Sequence, residues 1–222
     1  MIARDLISDT VPSLKTSDPA SRVLEWMSEF KVGHLPVVNN EELLGMVAED
    51  DLLDLEDPSH PIGNVRLSLP ETAYVYEDAH IFDVVRTTAQ LKLDVLPVLR
   101  SRDNHYLGVL SKTDIIEAVS DLLNAGEPGG IIILEVAQNS YHLSEIARIC
   151  ENNDAKILSL SITNAPNPVR LWVTIKLNIR ELSRVIATFE RFEYTIVRVI
   201  FDAEQMQDYQ EQYENLIRFL NL

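Results

Sequence analysis

Cysteine is nearly absent: Cys150 is the single thiol in 222 residues. No intrachain disulfide can form, which fits a reducing compartment. Long apolar runs are missing as well. No uncharged stretch approaches the roughly 18 to 20 residues that a membrane-spanning helix needs. The N-terminal MIARDLISDT is neither long nor apolar enough for a secretory signal. These absences lead to the expectation of a soluble, cytoplasmic protein.

Basic residues are scarce, with 19 Lys and Arg against 35 Asp and Glu, a formal net charge of −16. Such a surface repels phosphate backbones and anionic lipid headgroups, so neither nucleic acid nor membrane is expected as a partner. Any phosphate-bearing ligand must be met by local dipoles and a few cations. Catalytic signatures are missing too. There is no Gly-x-Gly-x-x-Gly, Walker or Gly-x-Ser-x-Gly pattern. The five histidines, His34, His60, His80, His105 and His142, lack metal-ligand spacing. No enzyme, metal or obligatory cofactor is expected. Cys150 falls on an apolar helical stripe and reads as a core thiol.

What is present is an internal repeat. Residues 34–55 read HLPVVNNEELLGMVAEDDLLDL, and residues 95–118 read VLPVLRSRDNHYLGVLSKTDIIEA. Each carries Leu-Pro-Val, a polar turn, Gly, two apolar residues, three variable ones, then Asp and two aliphatics. Pro36 and Pro97 lie 61 positions apart (97 − 36), and Asp51 and Asp114 lie 63 apart (114 − 51). A longer hairpin turn in the second copy accounts for the difference. Upstream, Asp18-Pro19 and Asp78-Ala79 each open a stripe of helical spacing, Val23, Met27 and Phe30 in one, Ile81, Val84, Val85 and Leu91 in the other. Each Asp is placed as an N-cap. Val11–Lys15 and Ala73–Tyr76 read as short extended segments ahead of the helices. Each unit is then strand, helix, strand, strand, helix, joined through a segment holding Pro58, Pro61 and Gly63.

The second half follows another plan. The stretch NAGEPGG, residues 124–130, is a linker by composition. Beyond it lie a strand at Ile131–Val136, a helix marked by Leu143, Ile146, Ala147, Ile149 and Cys150, and a hairpin of Ala155–Ile162 with Leu171–Leu177. A helix marked by Leu182, Val185, Ile186 and Phe189 and a strand at Tyr194–Phe201 complete it. This βαββαβ order is the ferredoxin-like plan. In the tail, Met206, Tyr209, Tyr213, Leu216 and Leu220 form a two-heptad stripe, either a packing helix or a dimer seam.

The paired Leu-Pro-Val…Gly…Asp units resemble a CBS-domain pair, the Bateman module, over roughly residues 1–123. The second half resembles an ACT domain, with Leu143 fitting its pattern and Tyr141 standing about where that family has a Gly. Two CBS repeats followed by an ACT-like domain is an arrangement similar to acetoin utilization proteins of the AcuB type. The resulting fold class is α/β (α+β). The divisions are repeat 1 at 1–60, repeat 2 at 61–123, linker 124–130, ACT-like domain 131–203 and C-terminal helix 204–222.

The resemblance implies a site. In CBS pairs the motif Gly-apolar-x-Thr/Ser-x-x-Asp places an Asp against the ribose hydroxyls, and a hydroxyl with a helix N-terminus against phosphate. Repeat 2 keeps this as Gly108-Val109-Leu110-Ser111-Lys112-Thr113-Asp114, with Lys112 adding a charge. Ser111, Lys112, Thr113 and Asp114 are the candidate site. Val109 and Leu110 are adenine-pocket or core residues, and His34 stands where members of the family sometimes carry a basic phosphate contact. Repeat 1 reads Gly45-Met46-Val47-Ala48-Glu49-Asp50-Asp51, without the hydroxyl and with two acids in the phosphate position. Asp51 and Val47 therefore mark a weaker second site, empty or suited to a less charged ligand. The competing reading is that Ser111 and Asp114 only cap a helix. Arg100 and Arg102 read as solvated.

The function implied is sensing of an adenine nucleotide (AMP, ADP or ATP) or S-adenosylmethionine by a regulatory homodimer acting on an unidentified protein target. The alternatives are a scaffold with a decayed nucleotide site, and an amino-acid-responsive regulator working through the ACT-like half.

Overall fold

The computed structural model describes residues 1–201 except Asp9, Ser68 and Glu71. The expected tail helix at 204–222 lies outside the described residues. The chain divides into two compact units, Met1–Val119 and a second from Ser120 onward.

In the first unit, repeat 1 contains α1 (Ala20–Phe30), β1 (His34–Asn39), β2 (Glu42–Ala48) and α2 (Glu49–Leu53). Repeat 2 contains β3 (Val75–Tyr76), α3 (Ile81–Leu91), β4 (Val95–Leu99), β5 (Tyr106–Ser111) and α4 (Lys112–Leu122). β1 and β2 form an antiparallel hairpin in which Val37 faces Gly45, and β4 and β5 form its counterpart with Val98 facing Gly108. β3 joins β4 in parallel through Val75 and Val98. In repeat 1 the matching pair, Leu14 and Val37, survives as a single parallel bridge. The extended segment expected at Val11–Lys15 thus shrinks to one bridging residue, held by Leu14 N–H to Pro36 O and Val38 N–H to Leu14 O, both at 2.8 Å.

The helix starts also differ from expectation. Asp18 does not cap α1. Its Oδ2 accepts the Lys15 N–H at 2.7 Å, closing the preceding turn, and Pro19 takes the N-cap position. The free α1 N–H groups of Ala20 and Ser21 go instead to His60 O and Pro58 O. Asp78 accepts from Ser101 Oγ at 2.7 Å, while His80 caps α3 by accepting the Phe82 N–H on Nδ1 at 3.3 Å.

These contacts belong to a reciprocal exchange. The segment preceding each repeat docks on the other repeat. Ala3 and Arg4 donate to Ala79 O and Glu77 O, and Ser8 bridges Val109. In return Ile62 and Gly63 donate to Asp18 O and Thr16 O, and Pro61 bridges Pro19. The exchange explains both motif glycines. A Cβ on Gly108 (φ +149°) would lie 2.6 Å from Ile7 Cγ2, and one on Gly45 (φ +151°) would lie 2.5 Å from Leu67 Cδ1. Only glycine offers both that backbone conformation and that room. One continuous core, including Leu14, Val23, Met27, Leu35, Val47, Ile81, Val84, Val98 and Leu110, runs through both repeats.

The second unit contains β6 (Ile131–Ala137), α5 (Leu143–Glu151), β7 (Ile157–Asn164), β8 (Arg170–Leu177), α6 (Ser183–Arg191) and β9 (Thr195–Ile200). The sheet order is β7-β8-β6-β9 and every pairing is antiparallel, which is the ferredoxin-like topology. Ile132, Leu134 and Val136 of β6 alternate with half-buried neighbours and join Val173, Ile175, Ile146, Ile149, Val185 and Phe189 in its core. Cys150 sits fully buried in that core, and burial pushes its thiol up to about 11. Lys176 is buried as well, and its Nζ donates to Asn124 O at 2.5 Å and Ala125 O at 2.9 Å, fastening the linker.

Candidate functional site

The site begins where β5 hands over to α4. Ser111 ends the strand and Lys112 opens the helix, so Lys112, Thr113 and Asp114 present the first turn of an 11-residue helix. Asp114 folds back on that turn. Its Oδ2 accepts the Ser111 N–H at 2.9 Å and the Ser111 hydroxyl at 2.6 Å, while the Asp114 N–H donates to Ser111 Oγ at 3.1 Å. This is the helix cap that the sequence allowed. It occupies one carboxylate oxygen, and among the described residues no group bonds Oδ1. The helix start therefore carries a fixed carboxylate next to the partial positive charge of the N-terminus.

A cavity of about 390 Å³ opens on this turn, lined by Thr10, Val11, Phe30, Lys31, Val32, Asp94, Ser111, Lys112, Thr113 and Asp114. The volume is in the range of small-molecule sites, roughly 300 to 1,000 Å³. Its walls come from both repeats. Val11 precedes α1, and Phe30, Lys31 and Val32 carry the chain out of that helix. Lys31 turns the chain in the left-handed conformation, φ 55°. The lining is thus mixed: Val11, Phe30 and Val32 are apolar, and Thr10, Lys31, Asp94, Ser111, Lys112, Thr113 and Asp114 supply hydroxyl, ammonium and carboxylate groups.

The structure brings Ser111, Lys112, Thr113 and Asp114 together around the cavity. Val109 and Leu110 are not among its described lining; they are 1% and 0% exposed and belong to the core. His34 also lies outside the lining, but its Nδ1 stands 3.4 Å from Asp94 Oδ2. That separation falls within ion-pair range without hydrogen-bond geometry, so the ring nitrogen has no bonded partner. Asp94 was not singled out from the sequence. It accepts the Gly33 N–H at 2.8 Å on Oδ2 and the Lys112 ammonium on Oδ1. Burial raises the Asp94 pKa, but the bonds from Lys112 and Gly33 and the nearby charges outweigh it and hold the carboxyl below its usual range. A charge inside the apolar run Leu93-Asp94-Val95-Leu96, 61 positions after Gly33, was the available signal.

Repeat 1 is built differently at the matching point. Asp51 Oδ2 accepts the Ala48 N–H at 3.0 Å, but Ala48 offers no hydroxyl, and α2 is five residues long with Glu49, Asp50 and Asp51 in its first turn. Those carboxylates oppose an approaching anion. Val47 is fully buried in the core.

A separate cavity of about 380 Å³ lies in the second unit, among Glu135, Ser140, Glu145, Arg170, Tyr194 and their neighbours. Four of its polar side chains form two pairs. Tyr194 donates to Glu145 Oε2 at 2.7 Å, and Arg170 lies 3.2 Å from Glu135 Oε1. Burial, with that hydrogen bond, raises the Tyr194 pKa. Among the described residues no helix is long and apolar enough to cross a membrane, and no cluster of His, Cys, Asp and Glu could hold a metal ion.

The chain is similar to several known proteins. A CBS domain pair/ACT domain protein from Thermotoga maritima shares the fold with a TM-score of 0.50 at 24% identity, over 55% of this chain and 99% of that one. CBSX2 from Arabidopsis thaliana, solved in complex with AMP, matches at 24% identity over 54% of this chain and 96% of its own, with a TM-score of 0.46. A candidate acetoin utilization protein (AcuB) from Vibrio cholerae matches at 19% identity over 57% and 96%, with a TM-score of 0.48. Among curated sequences, an uncharacterized protein of Methanocaldococcus jannaschii is 25% identical over 114 residues, which is 51% of this chain and 42% of that relative. The chain thus spans less than half the length of that relative. The CBS domain family matches twice, at residues 3–57 and 65–121, together half of the chain. Two matched copies, two hairpins in one register and one shared core make this chain a member of the CBS domain family.

Proposed function

We propose that the chain is a non-enzymatic, cytoplasmic regulatory module that binds an adenine nucleotide or another adenosyl ligand in the cavity at the start of α4. The observation that carries this reading is the Ser111–Asp114 turn opening on a cavity lined by both apolar and polar side chains. The free Oδ1 of Asp114 suits a ribose hydroxyl. Thr113 and the α4 N-terminus suit a phosphate or another polar substituent. Val11, Phe30 and Val32 suit a purine ring. Val109 and Leu110 support this turn from the core, and His34 acts through Asp94 rather than on the ligand. Asp51 and Val47 mark at most a weaker site. The ligand acts by favouring one arrangement of a homodimer, and the second unit passes that preference to a protein target.

The test is a thermal-shift screen of the full chain with AMP, ADP, ATP and S-adenosylmethionine. At ~100 times its dissociation constant a ligand stabilises the fold by about 2.7 kcal/mol. The expected result is a shift with an adenosyl compound that disappears in Asp114→Ala. A shift that persists in Asp114→Ala refutes the site.

A scaffold reading has one observation in its favour: the Ser111–Asp114 cap is complete within the protein. It predicts a folded oligomer with no shift from any adenosyl compound. The cavity beside Arg170 and Glu145 favours the amino-acid reading, which predicts a shift with a free amino acid that Arg170→Gln removes.

A further inference from the structure

The cavity at the start of α4 carries charges of both signs. Among its described lining residues the ionisable groups are Lys31, Lys112, Asp94 and Asp114, two cations and two anions. The cation nearest the helix start, Lys112, is already held by Asp94. We propose that Asp94 selects the ligand by charge, disfavouring multiply charged phosphates and favouring an adenosyl compound with a neutral or cationic substituent. The proposal rests on the adenosyl reading above.

The geometry makes Asp94 hard to displace. Its side chain binds the Gly33 N–H of repeat 1 at 2.8 Å and the Lys112 ammonium of repeat 2, faces His34 Nδ1 at 3.4 Å, and is 27% exposed. Its backbone carbonyl also accepts the Lys112 N–H at 2.9 Å. Asp94 and Lys112 are therefore fixed to each other through both main chain and side chain. A phosphate seeking Lys112 meets a carboxylate on the same ammonium. To take the ammonium it must push Asp94 away and break the Gly33 bond, or accept a like charge within a few ångströms. Adenosine faces neither cost, and a sulfonium substituent gains from the same carboxylate. In repeat 1 the matching position is Gly33, which has no side chain, so the selection is confined to one cavity.

Isothermal titration of the full chain with adenosine, AMP, ATP and S-adenosylmethionine tests this. The unaltered protein is expected to bind ATP no more tightly than adenosine, a ratio that does not depend on whether any variant folds. Asp94→Asn retains an acceptor for the Gly33 N–H. It is expected to tighten AMP and ATP by about tenfold relative to adenosine, the size of one displaced charge contact near a surface, and to weaken S-adenosylmethionine relative to adenosine. Adding Lys112→Gln to Asp94→Asn should return the phosphate ratio to that of the unaltered protein. A strong preference of the unaltered protein for ATP over adenosine overturns the proposal. So does an unchanged ratio in Asp94→Asn, or a gain that survives in the double variant. If the unaltered protein binds none of the four compounds, the adenosyl reading itself falls and takes this proposal with it.

Discussion

Repeat 1 and repeat 2 correspond along their scaffold and part company at the start of their second helices. Both have a hairpin with valine facing glycine, both receive an aliphatic side chain from the opposite segment, and both end their first helix on a lysine in the left-handed conformation, Lys31 and Lys92. Beyond that the chemistry diverges. Repeat 2 has Ser111, Lys112 and Thr113 ahead of Asp114, and repeat 1 has Ala48, Glu49 and Asp50 ahead of Asp51. The shared positions are those the fold needs, and of the divergent ones Ser111, Lys112 and Thr113 line the cavity. Repeat 2 has the groups that suit an anion or a ribose, where repeat 1 has an alanine and two acids.

The shared part is tested by the glycines, where the largest effects are expected. Gly108→Ala forces a side chain into a left-handed backbone and against Ile7 Cγ2, an atom on a stiff β-branched carbon. Gly45→Ala meets Leu67 Cδ1, the far end of a longer and more adjustable side chain. Strain and overpacking together should cost about 2 to 4 kcal/mol for Gly108→Ala, and less for Gly45→Ala. Denaturant unfolding measures both. Equal or reversed costs would show that the two exchanges are not equivalent in the way the packing implies.

The divergent part is tested by the aspartates. Asp114→Ala and Asp51→Ala each remove an acceptor from a helix start, worth about 0.5 to 2 kcal/mol of stability. Only Asp114→Ala should also abolish the ligand-induced stabilisation of about 2.7 kcal/mol. Loss of that stabilisation in Asp51→Ala instead would reverse the assignment of the two repeats. The converse experiment builds the missing site. Ala48→Ser with Glu49→Lys and Asp50→Thr gives repeat 1 the hydroxyls and cation of repeat 2. Titration calorimetry should then report a second, weaker ligand per chain, and unchanged stoichiometry would mean that these three residues are not sufficient.

The scaffold was largely legible before the structure. Leu-Pro-Val, the glycine and the aspartate recur at a fixed offset, and the helical stripes of Val23, Met27 and Ile81, Val84 match the buried faces of α1 and α3. The βαββαβ order of the second unit followed from apolar periodicity in the same way. The caps were misread because Asp18 and Asp78 had other partners near at hand, and a motif cannot rank two competing acceptor geometries. The exchange of Ile7 onto Gly108 and Leu67 onto Gly45 was hidden, since nothing local links residues about 100 positions apart in the one case. Asp94 was hidden for a related reason: its partners Gly33, His34 and Lys112 come from both repeats, and only the folded chain brings them to one carboxylate.

The smallest expected effect sharpens the same comparison on the acid side. Asp94 has a lowered pKa in the folded protein, because the bonds from Lys112 and Gly33 outweigh the burial that raises it. The unfolded chain therefore binds the proton first, near the ordinary value of 3.8. The stabilisation from Asp94 is complete above that pH and is lost as pH falls through the lowered folded value. Lys112 is half exposed, so the contribution is that of a solvated pair, about 0.2 to 1 kcal/mol. Gly33 has no titrating side chain, and repeat 1 adds nothing to match. Denaturant unfolding between about pH 5 and pH 3 should show a shallower loss of stability in Asp94→Asn than in the unaltered protein. An equal or steeper loss would mean that Asp94 is no better stabilised as an anion in the fold than in the unfolded chain, and the bond to Lys112 would then be too weak to oppose a phosphate.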